Sequence, residues 1–176
     1  MNGKNRKKGM VIKMKEITVK KLTPENFEKF GRYGDIGNPS GQFIGKSPVR
    51  FYRDILPFGY SAPMSASTTL VEPKEFVVDT LEYHTCTPEI LMMLDQDAVI
   101  CIGAATAQKE PPMDNLEAFY IPKGVMVYLN PGVWHYAPFP LGDMPVHSLV
   151  LLPERTYVND TLCIAIEPDK QVAIKL

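Results

Sequence analysis

Residues 116 to 135 read LEAFYIPKGVMVYLNPGVWH. Two runs rich in aromatic and β-branched residues, Leu116 to Ile121 and Gly124 to Leu129, flank Pro122-Lys123-Gly124, and Pro131-Gly132 follows the second run almost at once. Proline removes a backbone donor and glycine permits a tight corner, so the stretch reads as two short strands with two turns. The same pattern extends on both sides. Val49 to Asp54, Ser67 to Glu72, Phe76 to His84, Ile90 to Leu94, Ala98 to Gly103, Val146 to Leu152 and Leu162 to Glu167 all have strand length and composition. Most of the 16 prolines stand between such runs, as Pro73, Pro88, Pro111-Pro112, Pro138 and Pro153 do. This predicts antiparallel β-structure with tight corners, a mainly β fold of the sandwich or jelly-roll barrel class.

Upstream, Glu16 to Lys21 reads as a first strand and is followed by one short N-terminal helix. Thr23 suits its cap, Pro24 its first turn, and Phe27 with Phe30 its buried side. Gly31 and Gly34 are expected to end it, and Asp35 to Gly45 reads as loop. No second helix is expected. The 176 residues fit one domain able to bury a core without disulfides or a structural metal.

The net charge of −1 conceals an asymmetry. Six of the 19 basic residues lie among residues 1 to 15, which hold no acidic residue, leaving 13 basic against 20 acidic residues in the remainder. Residues 1 to 15 are expected to be a basic, disordered arm and 16 to 176 a single acidic domain, which repels nucleic-acid phosphates. No run approaches the ~20 apolar residues of a membrane span, and Met10 to Met14 is too short and too interrupted for a secretory leader. Cys86, Cys101 and Cys163 lack paired spacing and read as buried free thiols. A cytoplasmic location, with neither nucleic acid nor membrane as partner, follows as the expectation. Strand edges are adhesive, so a homodimer is expected.

The three histidines carry the chemistry. In Leu81-Glu82-Tyr83-His84-Thr85-Cys86-Thr87-Pro88-Glu89, Glu82 and His84 are two apart on an extended chain and share a face. The turn at Thr85 to Pro88 can return Glu89 beside them, and the Pro131-Gly132 turn lets His135 re-enter the same barrel. Singly, each is as readily a solvated carboxylate or a hydrogen-bonded structural histidine. Two imidazoles with one or two carboxylates around one point suit a single divalent transition metal: Mn, Fe, Ni, Co or Zn. His147, among apolar residues on its strand, reads as a hydrogen-bonded core or rim residue, with a base role only if it faces the pocket. Trp134, Met92, Met93 and Met126 read as core. No phosphate-cradling glycine loop and no Gly-x-Ser-x-Gly elbow is present.

Glu-x-His-x4-Glu followed by Pro-Gly-x-x-His resembles the two metal motifs of cupins, with Glu82 where cupins usually carry their first histidine. More specifically, the chain resembles the ureidoglycolate lyase family over about residues 17 to 167. The matching segments are Lys21-Leu22-Thr23-Pro24-Glu25-Asn26-Phe27 through Phe30-Gly31, Val49 to Ile55, Leu81-Glu82-Tyr83-His84 with Glu89, Leu116-Glu117-Ala118-Phe119, and Gly132-Val133-Trp134-His135. Asn130 and Tyr136 stand where that family often has histidine, Glu89 replaces a glutamine, Tyr83 an arginine, and Phe51 an arginine flanked here by Arg50 and Arg53. The resemblance implies a cupin-like double-stranded β-barrel that cleaves ureidoglycolate to glyoxylate and urea. It implies that His84, Glu89 and His135 hold the metal, with Glu82 as fourth ligand or base and His135 sharing in catalysis. Asn130 and Tyr136 would orient the substrate, and Arg50 or Arg53 would meet its carboxylate. Two alternatives stay open: a cupin-type sugar or sugar-phosphate isomerase or epimerase, and a non-catalytic small-ligand-binding cupin.

Overall fold

The structure is a computed structural model and describes residues 14–176. The expected basic arm lies outside the described residues except at its end, where Lys15 already belongs to the first strand, β1 (Lys15–Lys21). The helix α1 (Pro24–Phe27) starts as expected: the Thr23 hydroxyl accepts the Asn26 N–H, and the Asn26 side chain accepts the Thr23 N–H. These reciprocal bonds satisfy two donors that a helix start otherwise leaves free. Phe27 and Phe30 are fully buried and meet Phe119 edge-on.

Gly31 and Gly34 do more than end that helix. They lie in β2 (Gly31–Asp35), which pairs antiparallel with β11 (Val125–Leu129). A Cβ on Gly31 would stand 1.8 Å from the Tyr128 carbonyl oxygen, so this pairing requires a bare backbone there. Next come the hairpin β3 (Phe43–Ile44) and β4 (Phe51–Tyr52), then β5 (Met64–Val71), β6 (Val77–Val78), β7 (Thr80–Tyr83), β8 (Glu89–Met93), β9 (Ala98–Ile102) and β10 (Glu117–Ile121). After β11 follow β12 (Phe139–Pro140), β13 (Val146–Pro153), a helix α2 (Thr156–Asn159), β14 (Leu162–Ala165) and β15 (Val172–Lys175). The second helix departs from expectation, as does the parallel pairing of β1 with both β10 and β15.

The strands form a six-stranded sheet, β12-β9-β10-β1-β15-β6, and a five-stranded sheet, β2-β11-β8-β13-β5, with β14-β7 and β3-β4 as two-stranded ribbons. The six-stranded sheet is covered on both faces, which explains why β9 is apolar throughout and fully buried. Ile100, Ile102, Phe119 and Ile121 face one cluster with Phe27, Phe30, Leu91, Met93 and Val127. Val99, Cys101 and Ala118 face the other, with Leu81, Trp134 and Phe139. Burial pushes the Cys101 thiol up to about 12 and keeps it protonated, whereas Cys86 and Cys163, expected inside, are exposed. No helix among the described residues is long and apolar enough to cross a membrane.

Two isolated bridges carry the fold into the site. After β11, Gly132 takes a positive φ of 82°, and the chain then pairs Trp134 with Gly103 and His135 with Glu82. Trp134 is wholly buried, packs on Tyr83 with ring centroids 4.3 Å apart, and donates its indole N–H to the Thr106 hydroxyl at 3.0 Å. The largest apolar side chain in the region therefore anchors the residue preceding His135.

Candidate metal centre

β7 supplies Glu82, and His84 follows two residues on, on the same side of the extended chain. Glu82 and His135 face each other directly across their bridge, exchanging backbone bonds of 2.7 and 2.8 Å, and Gly132 N–H donates to the His84 carbonyl at 2.6 Å. Glu89 opens β8 after the turn. The four side chains expected to converge do so: one ligand atom from each of Glu82, His84 and His135 lies within 4.8 Å of the others. Glu89 Oε2 sits between the imidazoles, 3.0 Å from His84 Nε2 and 3.1 Å from His135 Nε2.

Each imidazole is held from behind. His84 Nδ1–H donates to the Asp160 carbonyl at 2.9 Å, with the Thr161 hydroxyl 3.1 Å away, and His135 Nδ1–H donates to the Val133 carbonyl at 2.8 Å. A ring so tied presents Nε2 to the centre, and outer hydrogen bonds of this kind orient metal-ligating histidines and raise their basicity. Around an octahedral cation, neighbouring ligands ~2.1 Å from the ion stand about 3 Å apart, close to the separation of Glu89 Oε2 from each Nε2. Two imidazoles and the Glu89 carboxylate, with Glu82 beside them as a fourth ligand or a free base, fit a divalent first-row ion.

The charges reinforce that arrangement. Burial alone would push the Glu89 carboxyl up, but the charge and hydrogen bonds of His135 and His84 outweigh it and hold Glu89 at about 2. Burial likewise works against the His135 cation, and the Glu89 carboxylate overcomes it, raising His135 to about 9. Glu82 is shifted upward, chiefly by burial and further by Glu89, with the histidines opposing. Glu89 is thus held as the anion while Glu82 has the greater appetite for a proton.

A cavity of about 190 Å³ opens on the centre, lined by Glu82, Glu89 and His135 together with Thr69, Leu91 and Tyr136. Tyr136 is the one expected substrate contact among these residues. Asn130 instead shapes the turn, donating its N–H to Phe30 and accepting from Val133. Arg50 is exposed with its guanidinium over Phe43, and Arg53 is exposed near Asp54, bordering a different cavity with Asp35. His147 is exposed and bonded to Asp95, away from the centre.

Three contributors escaped the sequence reading. Lys74 places its ammonium over Phe139 at 4.2 Å and Tyr136 at 5.6 Å, and burial lowers its pKa. Asp160 and Thr161 back His84 from 76 and 77 positions away, within a segment that has no motif; Asn159-Asp160 is a turn signal there.

The sequence matches the ureidoglycolate lyase family over residues 14–174. No curated protein matches it. Among solved structures, oxalate decarboxylase of Bacillus subtilis is 19% identical with a TM-score of 0.43, over 60% of this chain and 24% of that one. The Lactobacillus farciminis oxalate decarboxylase is 15% identical with a TM-score of 0.42, over 58% and 27%. The chain thus spans about a quarter of the length of those decarboxylases. A dTDP sugar isomerase from Desulfovibrio desulfuricans G20 matches over 80% of this chain and 87% of its own, at 12% identity and a TM-score of 0.51, a likeness of cupin fold alone. With its family match spanning nearly all the described residues, this cupin-fold chain belongs to the ureidoglycolate lyase family.

Proposed function

We propose that the centre holds one divalent first-row metal and that the protein is a lyase cleaving a small hydroxy-carboxylate, ureidoglycolate, into glyoxylate and urea. The observation that carries this reading is the pinning of both imidazoles through Nδ1, which leaves their Nε2 atoms converging on one carboxylate oxygen. A divalent cation bound there supplies Lewis acidity to the substrate's carboxylate and hydroxyl.

The protein's own groups account for the proton. Glu82, with its raised proton affinity, takes the hydroxyl proton as the oxygen forms the new carbonyl. The C–N bond breaks, its electron pair stays on nitrogen, and Glu82 returns the proton there, so that urea leaves neutral. Tyr136 orients the substrate from the cavity wall, and Lys74 beside it meets the carboxylate, a part that the distant Arg50 and Arg53 do not fill. Leu91 and Val150 contribute apolar surface to the cavity lining. A cavity of about 190 Å³ lies below the ~300–1,000 Å³ of drug-sized sites, which favours a substrate of this size over a nucleotide sugar.

Turnover tests the reading. Protein supplied with Mn(II) is expected to release urea and glyoxylate from ureidoglycolate, and chelation, His84→Ala or His135→Ala to abolish that release. Absence of urea with interconversion of an aldose and a ketose would replace the lyase by an isomerase.

A further inference from the structure

The backbone N–H groups of the turn that joins His84 to Glu89 bond to a residue distant in sequence. Asp160, immediately after α2, accepts the N–H groups of Thr85, Cys86 and Thr87 at 2.8, 2.8 and 2.9 Å, and the Thr87 hydroxyl at 3.0 Å, all on its carboxylate. Its main-chain carbonyl meanwhile accepts His84 Nδ1–H at 2.9 Å. Asp160 is itself fixed, since its N–H donates to the Thr156 carbonyl and so closes α2. Thr161 completes the arrangement: its hydroxyl donates to Thr156 and offers a lone pair to His84 Nδ1.

We infer that Asp160 is the positioning residue of the centre, its side chain setting the turn between His84 and Glu89 while its backbone sets the His84 ring. Three successive N–H groups aimed at one carboxylate tie the turn to Asp160 at three consecutive positions, the last of them, Thr87, buried. With the turn fixed, the separation of the His84 and Glu89 ligand atoms is fixed as well. Four residues separate those two ligands, so a change in the turn moves one against the other directly. This role rests on the metal reading above for its consequence, though not for its geometry.

Removal of the carboxylate in Asp160→Ala keeps the carbonyl but frees the turn, and outer-shell losses of this kind typically weaken metal binding by ~10–100-fold. Titration of Co(II) into metal-stripped protein is expected to show a loss of that size in Asp160→Ala and a smaller one in Asp160→Asn, with an altered Co(II) absorption band in both. Asp95→Ala, which removes a carboxylate bonded to an exposed backbone N–H elsewhere, is expected to bind Co(II) like the unaltered protein. Lower thermal stability with unchanged Co(II) affinity and spectrum in both Asp160 variants would overturn the inference; if Asp160→Ala does not fold, Asp160→Asn decides alone. Should the unaltered protein bind no Co(II), the metal reading falls by itself and the ¹⁵N spectrum of the three histidines decides on Asp160. The hydrogen-bonded Nδ1–H signal of His84 is expected in the unaltered protein and broadened or lost in the variants. An unchanged signal would overturn the inference.

Discussion

Glu89 and His135 are both buried and hold opposite charges, and the consequences for pH run in both directions. Glu89 lies at about 2 in the folded chain against an ordinary 4.5, so its stabilisation is complete above 4.5 and is lost as pH falls toward 2. His135 lies at about 9 against 6.5, so its stabilisation is complete below 6.5 and is lost as pH rises through 9. The metal-free protein is therefore expected to melt highest between pH 4.5 and 6.5, with thermal scans across pH as the check. A metal ion needs the same Nε2 without its proton, so affinity is expected to climb as pH rises toward 9 with release of a proton, measurable by calorimetry in buffers of different ionisation enthalpy. Removing one partner of a buried pair strands the other, and Glu89→Ala is expected to cost about 3–5 kcal/mol in denaturant unfolding. Arg50→Ala and Arg53→Ala, in contrast, are surface changes expected to leave KM within about twofold. Tyr136→Phe is expected to raise KM, because the phenol stands in the cavity wall.

At the level of elements, the strands legible in the sequence include those with buried apolar runs, β8 to β11 and β13, and also β1, β5, β7 and β14, whose β-branched or aromatic residues stand between turn signals. Glu82, His84, Glu89 and His135 were legible for a related reason: a period of two fixes a shared face, and a short turn returns the chain. What escaped depends on contacts distant in sequence. β2 carries two glycines that local preference reads as punctuation, yet their bareness is what the neighbouring strand demands. Gly31→Ala is accordingly expected to destabilise by at least ~2 kcal/mol, seen as a lowered denaturation midpoint, since its Cβ would collide with the backbone of β11. The helix α2 has four residues, too few for any 3.6-residue pattern, and matters through Asp160 at its end. The parallel placement of β1 between β10 and β15 is set by tertiary pairing alone. Arg50 and Arg53 flank a segment that resembles the family, but they stand beside β4 on the β3–β4 hairpin, and Arg53 borders a different cavity.

Across the whole molecule, the two sheets leave a small chamber where β7, β8 and the chain after β11 meet, and the two imidazoles beside it are held from behind by backbone carbonyls. The central claim is that this chamber is a site for one divalent ion. Equilibrium dialysis of metal-stripped protein against Co(II) tests it most directly: one ion per chain, lost in His135→Ala and in His84→Ala, is the result expected. No bound ion, or binding that survives both substitutions, would contradict it.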